Sequence, residues 1–302
     1  MSLLVVGSIA FDSVKTPFGK VEEAIGGSAV YFSLSAGFFN DINLVAVVGK
    51  DFPEHEIAFL NTRNVDTQGL QRVDGKTFRW KGEYSFELNE AHTLETHLNV
   101  FENFTPEIPD SYRDAEYVFL ANIDPELQWS VLQQVKSPDF VGMDTMNFWI
   151  GRKREALMEV LKKVNILTIN DGEARQLTEE ANLVKAARKI LSYGPKILII
   201  KRGEYGALMF NGASIFSAPA YPLETVFDPT GAGDSFAGGF MGYLSNVQNV
   251  NEETLRRAMI FGSVMASFNV EDFSINRLRS LKYKEIEQRF RMFKDLTHFE
   301  DI

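Results

Sequence analysis

The run Phe227-Asp228-Pro229-Thr230-Gly231-Ala232-Gly233-Asp234-Ser235-Phe236 sets two glycines around one alanine, with an aspartate directly after them. Phe236, Phe240 and Leu244 then recur every four residues, so the pattern predicts a tight glycine turn feeding a helix. The first N–H groups of a helix lack carbonyl partners, and the helix dipole adds about half a positive charge at that end. Gly231 and Gly233 carry no Cβ, so the backbone of Gly231, Ala232 and Gly233 can press its amides against an oxyanion or phosphate. Asp234 puts a carboxylate where a plain phosphate cradle avoids negative charge. That points to chemistry on a hydroxyl rather than simple phosphate holding.

The same run resembles the signature Asp-x-Thr/Ser-Gly-Ala-Gly-Asp of the ribokinase-like (PfkB-type) carbohydrate kinases. Five fixed residues at about 5% usage each match by chance on the order of once in 10⁴ chains of this length. The resemblance covers nearly the whole chain and implies ATP-dependent phosphorylation of a hydroxyl on a small polyhydroxylated substrate. Asp234 would take the hydroxyl proton, the Gly231 to Asp234 amides would hold the charge on the transferring phosphoryl, and Mg²⁺ would bridge the phosphates. A monovalent cation is an optional further cofactor of the resemblance. Because phosphoryl transfer runs through a loose transition state, an aspartate of ordinary or lowered pKa suffices.

Other residues extend the site. Asp12 follows the first apolar run, at the carboxyl end where open α/β sheets bind ligands, and resembles the family's acceptor for substrate hydroxyls; alone it reads as a turn or cap. Gly26-Gly27 before a helix is similar to the family's first signature, where two glycines let the backbone approach the sugar. An asparagine commonly follows there within four residues, whereas this chain has Ser28-Ala29-Val30-Tyr31. Asn170-Asp171-Gly172-Glu173 resembles the Asn-x-x-Glu motif linked to Mg²⁺ and phosphate, with Glu173 reaching the metal through water; it also reads as a capping box. Lys201-Arg202-Gly203-Glu204-Tyr205-Gly206 looks like the family's Thr-x-Gly-x-x-Gly turn near the nucleotide phosphates, with Lys201 where a small hydroxyl residue is frequent. Asp144-Thr145-Met146-Asn147 partly matches a substrate-side motif of some relatives, and by the resemblance Ala258 to Phe268 with Asn269 walls the adenine pocket, where composition alone reads a core helix.

Around these residues, short apolar runs alternate with helical patterns. Leu3 to Gly7, Leu44 to Gly49, Tyr117 to Ala121, Phe140 to Met143, Ile166 to Ile169 and Ile197 to Lys201 read as buried strands. Helices are predicted for Gly26 to Phe39, Glu126 to Val135, Arg152 to Val164 and Leu183 to Tyr193. Such alternation indicates a mostly parallel sheet covered on both faces. Together with the resemblance, this implies a ribokinase-like three-layer α/β sandwich over residues 1–302, a single kinase domain.

The stretch Thr77 to Phe101 breaks the rhythm. Phe78, Trp80, Tyr84, Phe86 and Leu88 alternate with polar residues, and Leu94, Leu98 and Val100 alternate again after a polar turn, which predicts a hairpin with one apolar face. With a small hairpin around Thr16-Pro17-Phe18-Gly19, it forms an inserted sheet, with lid segments near 13–25 and 72–105. The plain alternative is a hairpin covering the core edge. The resemblance implies a lid over the substrate and a homodimer contact through it.

Composition bounds the rest. A chain of 302 residues with 45% hydrophobic content can bury a large core. It has no cysteine, hence no disulfide or thiolate metal site. The net charge of −10 argues against a nucleic-acid partner. No run reaches roughly 18 apolar residues, and Met1 to Gly7 lacks a basic leader, so no membrane partner and a cytoplasmic location are expected. A dinucleotide-binding rival would need Gly-x-Gly-x-x-Gly after the first strand, where only Gly7 stands. A catalytically inactive relative is the other rival, and retention of Asp12 and Asp234 speaks against it. The expected acceptor is a sugar or polyol, with a nucleoside as the alternative.

Overall fold

The computed structural model describes residues 2–298 and 300. In chain order, β1 (Leu3–Val6) leads into the hairpin β2 (Ala10–Thr16) and β3 (Gly19–Gly26), then α1 (Ser28–Ala36), β4 (Ile42–Gly49), α2 (Glu54–Asn61) and β5 (Val65–Val73). A second hairpin, β6 (Phe78–Tyr84) and β7 (Ala91–His97), precedes β8 (Tyr117–Leu120), α3 (Pro125–Gln134), β9 (Phe140–Asp144), α4 (Asn147–Arg152) and α5 (Arg154–Leu161). Next come β10 (Ile166–Asn170), α6 (Asp171–Thr178), α7 (Leu183–Leu191) and β11 (Ile197–Lys201). The chain ends with β12 (Ala207–Asn211), β13 (Ser214–Ala218), α8 (Ala232–Leu244), α9 (Glu252–Asn269), α10 (Asn276–Ser280) and α11 (Tyr283–Thr297).

The wholly apolar runs become the middle of a nine-stranded sheet of order β13-β12-β11-β10-β9-β8-β1-β4-β5. Its strands pair in parallel except where β12 joins β11 and β13. Leu3 to Val6 have no exposed surface, because their alternate side chains enter two separate cores. One core takes Leu3 and Val5 with α1, α8 and α9; the other takes Leu4 and Val6 with α3, α5 and α7. Burying each such side chain contributes about 1.5–3 kcal/mol, so the two apolar layers dominate stability. This is the ribokinase-like α/β fold.

The hairpins meet in a separate four-stranded sheet of order β3-β2-β6-β7, whose two middle strands run parallel. Several expectations shift. Asp12 lies inside β2 rather than in a loop after β1, since Ala10 to Lys15 pair with Phe78 to Glu83. The alternation of the second hairpin holds only to Tyr84: Phe86 and Leu88 fall in the connecting turn, Leu88 with φ 55°, and Val100 lies in the 3₁₀ segment Asn99–Asn103. In β7 the register jumps from Lys81↔Glu95 to Gly82↔Thr93, leaving Leu94 unpaired in a bulge. The predicted helix Arg152 to Val164 breaks at Lys153 (φ −130°, ψ 36°), which separates α4 from α5.

Candidate active site

The glycine run starts α8 as its spacing predicts. Gly231 caps the helix in the left-handed region (φ 76°, ψ 0°), which a side chain would strain, and a Cβ there would lie 2.4 Å from the ring of Tyr31. Ala232 and Gly233 open the helix and Asp234 occupies its first turn. Buried groups hold this loop. The Asp228 carboxylate accepts from the Thr230 N–H at 2.9 Å and the Ser274 N–H at 3.2 Å. Asn269, expected on the nucleotide side, donates to the Thr230 carbonyl at 2.7 Å and accepts from Ser235 Oγ at 3.2 Å. Both ends of its amide thus serve the loop.

Parallel pairing of β9, β10 and β11 brings Asp144, Asn170 and Lys201 to one sheet end beside that helix start, through Thr168↔Asp144 and Asn170↔Lys201. Lys201 Nζ donates to Asp144 Oδ2 at 2.8 Å and lies 2.9 Å from where a Cβ of Gly233 would stand. The ammonium is therefore packed against the glycine turn. Burial works against its charge, but the carboxylates of Asp144 and Glu173 outweigh it and hold Lys201 above its ordinary value. Asn170 and Glu173 form the capping box: Glu173 N–H donates to Asn170 Oδ1 at 2.7 Å and Asn170 N–H to Glu173 Oε2 at 2.8 Å.

Asp234 departs from the ordinary or lowered value expected for it. Burial and then the Asp144 charge push its carboxyl up to about 7, against the pull of Lys201. Glu173 rises to about 7 by burial and Asp144, again offset by Lys201. Acids near neutrality beside an ammonium are a usual mark of functional sites.

Asp12 makes the other half. It is buried, and its Oδ2 would be 1.9 Å from a Cβ at Gly26, so glycine there is required for the carboxylate to sit where it does. Gly27 caps α1 at φ 95°, a conformation side chains avoid, and its N–H bonds the Asp12 carboxylate. Burial and then Asp228 raise Asp12 to about 7. The small sheet reaches over this pair: the Tyr84 hydroxyl of β6 accepts from Thr230 Oγ1 at 3.3 Å. The turn after β6 goes further, since a Cβ at Gly203 would lie 2.5 Å from Asn89 Oδ1. Gly206 is set deeper, where a Cβ would stand 2.1 Å from the Ala218 carbonyl. Its glycine is accounted for by that backbone crossing.

The arrangement offers a carboxylate base at a helix N-terminus, an ammonium beside it and a second carboxylate behind two glycines. Among the described residues no group of three or more His, Cys, Asp or Glu side chains could cage a metal. Asn170 and Glu173 supply only amide and carboxylate oxygens, so a cation held here completes its shell with water and phosphate oxygens, the habit of Mg²⁺. Sequence reasoning missed the bracing role of Asp228, the Tyr84 link and the Lys201–Asp144 pair. Asp228 heads the signature run, but only the tertiary arrangement shows which amides it serves.

The model of the pfkB family carbohydrate kinases matches residues 3–278, so the chain belongs to that family. It is an ATP-dependent kinase, a phosphotransferase. A cytidine kinase of Thermococcus kodakarensis is 31% identical over 258 residues, covering 83% of this chain and 91% of that one. The nucleoside kinase of Methanocaldococcus jannaschii, an archaeal member of the ribokinase family, shares the fold with a TM-score of 0.77 at 19% identity, covering 96% of this chain and 98% of that one. Aminoimidazole riboside kinase from Salmonella enterica, solved with aminoimidazole riboside and an ATP analogue, superposes with a TM-score of 0.77 at 17% identity, covering 96% and 100%. Among the described residues no helix is long and apolar enough to cross a membrane.

Proposed function

We propose that the protein transfers the γ-phosphoryl of ATP to a hydroxyl of a nucleoside. The single observation that carries the transfer is the half-buried Asp234 carboxyl at the start of α8, flanked by the Gly231 to Gly233 turn and the Lys201 ammonium. Asp234 accepts the proton of the acceptor hydroxyl, which raises the oxygen's nucleophilicity as the bond to phosphorus forms. The amides of Gly231 and Gly233 stabilise the charge on the phosphoryl oxygens, whereas the Ala232 N–H, expected to join them, donates to the Pro229 carbonyl at 3.1 Å; Lys201 adds a fixed positive charge on the same group. Gly203 is the nucleotide-side backbone approach, and Asn170 with Glu173 would hold Mg²⁺ through water. That ion neutralises phosphate charge when bound.

On the acceptor side, Asp12, set by Gly26 and Gly27, accepts from substrate hydroxyls. The small sheet closes over the acceptor and forms the contact between two copies of the chain. Likeness to the cytidine kinase supports a nucleoside over the sugar or polyol expected from sequence. A turnover assay with ATP and three acceptor classes, nucleosides, sugars and polyols, tests the reading. The highest kcat/KM is expected for a nucleoside, and preference for a sugar or polyol by tenfold or more overturns it.

A further inference from the structure

The hydroxyl of Tyr31 is fully buried and has no hydrogen-bond partner, although the residue lies between the two halves of the site. Tyr31 stands in the first turns of α1, four residues after Gly27. Its ring fills the space beneath Gly231, the cap of α8, where a Cβ would meet three ring carbons within 2.5 Å. The same residue therefore touches the phosphoryl-binding turn and grows from the helix that the substrate-side glycines begin.

A buried hydroxyl without a partner costs about 1–3 kcal/mol of desolvation, so its retention calls for a compensating contact. A phenylalanine would fill the space beneath Gly231 at no such cost. Burial first, then the charges of Asp12, Asp228, Tyr84 and Asp234, keeps the phenol well above its ordinary value, so it is a permanent donor. Of these charges that of Asp12 acts most strongly on the phenol, yet no hydrogen bond joins it to Tyr31. A carboxylate that accepts and a phenol that donates, coupled but not bonded, are matched by a group that does both. A hydroxyl has one donor and two acceptor sites.

We propose that Tyr31 is a specificity-determining residue, whose hydroxyl donates to a second hydroxyl of the acceptor's pentose while that same hydroxyl donates to Asp12. The substrate hydroxyl so bridged is one that is not phosphorylated. The site then discriminates against pentoses lacking it, because a missing hydroxyl leaves both buried partners unpaired. In the choice of analogues the inference rests on the nucleoside reading.

The test measures kcat/KM for cytidine, 2′-deoxycytidine and 3′-deoxycytidine with wild type and Tyr31→Phe, which keeps the ring under Gly231 and removes only the oxygen. Wild type should disfavour one deoxy analogue by at least about tenfold, and Tyr31→Phe should lower cytidine turnover by about 10- to 100-fold while leaving that analogue within about threefold. The ATP KM should stay within about twofold and thermal unfolding should not fall, which separates recognition from packing. An unchanged preference ratio, with cytidine retained or all three acceptors reduced alike, overturns the proposal. Should wild type turn over a sugar or polyol and no nucleoside, the nucleoside reading fails by itself. The Tyr31 ratio is then decided with that acceptor and its deoxy analogues.

Discussion

Two helices of this protein begin at glycines beside an acid, and they differ in where the acid comes from. At α8 the acid is Asp234, on the helix's own first turn. At α1 it is Asp12, delivered by strand β2 of the small sheet and fixed against Gly26 and the Gly27 N–H. The helices pack closely, since Gly238 of α8 lies where a Cβ would come 2.3 Å from the Phe32 carbonyl and Gly242 lies against Ala36. The two N-termini therefore sit side by side. One is self-contained in ten consecutive residues; the other exists only when the inserted sheet is in place. We infer that the self-contained end serves the invariant part of the reaction, the phosphoryl group, and the assembled end serves the part that varies, the acceptor.

Breaking the α8 end should do the most damage. Asp234→Asn should lower kcat by about 10² to 10⁴ with the fold retained by circular dichroism, the range for loss of a general base. Near-wild-type turnover would remove Asp234 from the chemistry. Gly233→Val comes next, because its side chain would displace the Lys201 ammonium and push bulk toward the phosphoryl group. A fall of about 10²- to 10³-fold in kcat is expected from steady-state kinetics, and a loss of stability alone would show that the turn only folds the protein.

At the α1 end, Asp12→Asn should raise the acceptor KM by about 10- to 100-fold with a smaller effect on kcat, the scale of a charged hydrogen bond. An equal fall in kcat with an unchanged KM would erase the division between the two ends.

Both acids share a pH response. Asp12 and Asp234 sit at about 7 in the folded chain against an ordinary 3.8, so folding takes up protons between those limits. The stability they contribute is full below about pH 4 and is lost as pH rises through 7. The thermal midpoint of the ligand-free protein should drop from pH 6 to pH 8, and Asp234→Asn should flatten part of that slope, while wild-type kcat/KM should rise over the same interval as the base ionises. A midpoint that climbs toward pH 8, with Asp234→Asn unchanged, would show that these carboxyls are not raised.

The smallest effect is expected in the sheet above. Phe86 is 82% exposed and Leu94 45%, whereas Trp80 is half-buried with its Nε1 donating to Thr93 Oγ1. Replacing Trp80 and Phe86 with serine should raise the acceptor KM a few-fold and shift sedimentation toward monomer, as expected for loss of apolar cover and an exposed apolar contact. If neither changes, the sheet is ordinary cover.

The sequence by itself determined what is local. Leu3–Val6, Tyr117–Leu120 and Ile197–Lys201 are strands buried on both faces because an unbroken apolar run has no polar side to turn to water, and that places a mostly parallel sheet under helices. The Gly231 to Asp234 turn was legible because a cap, a helix start and an acid fall within a few residues. The limits of β6 and β7 were not: apolar alternation runs past Tyr84, but the chain turns where Leu88 takes a positive φ and Leu94 bulges. Only the tertiary structure decided that Asn269 braces the loop, that Lys201 meets Asp144 across two strand registers, and that the Tyr31 ring lies under Gly231. Those contacts join residues from 39 to 200 positions apart, and no periodicity within a segment records which distant segment packs against it.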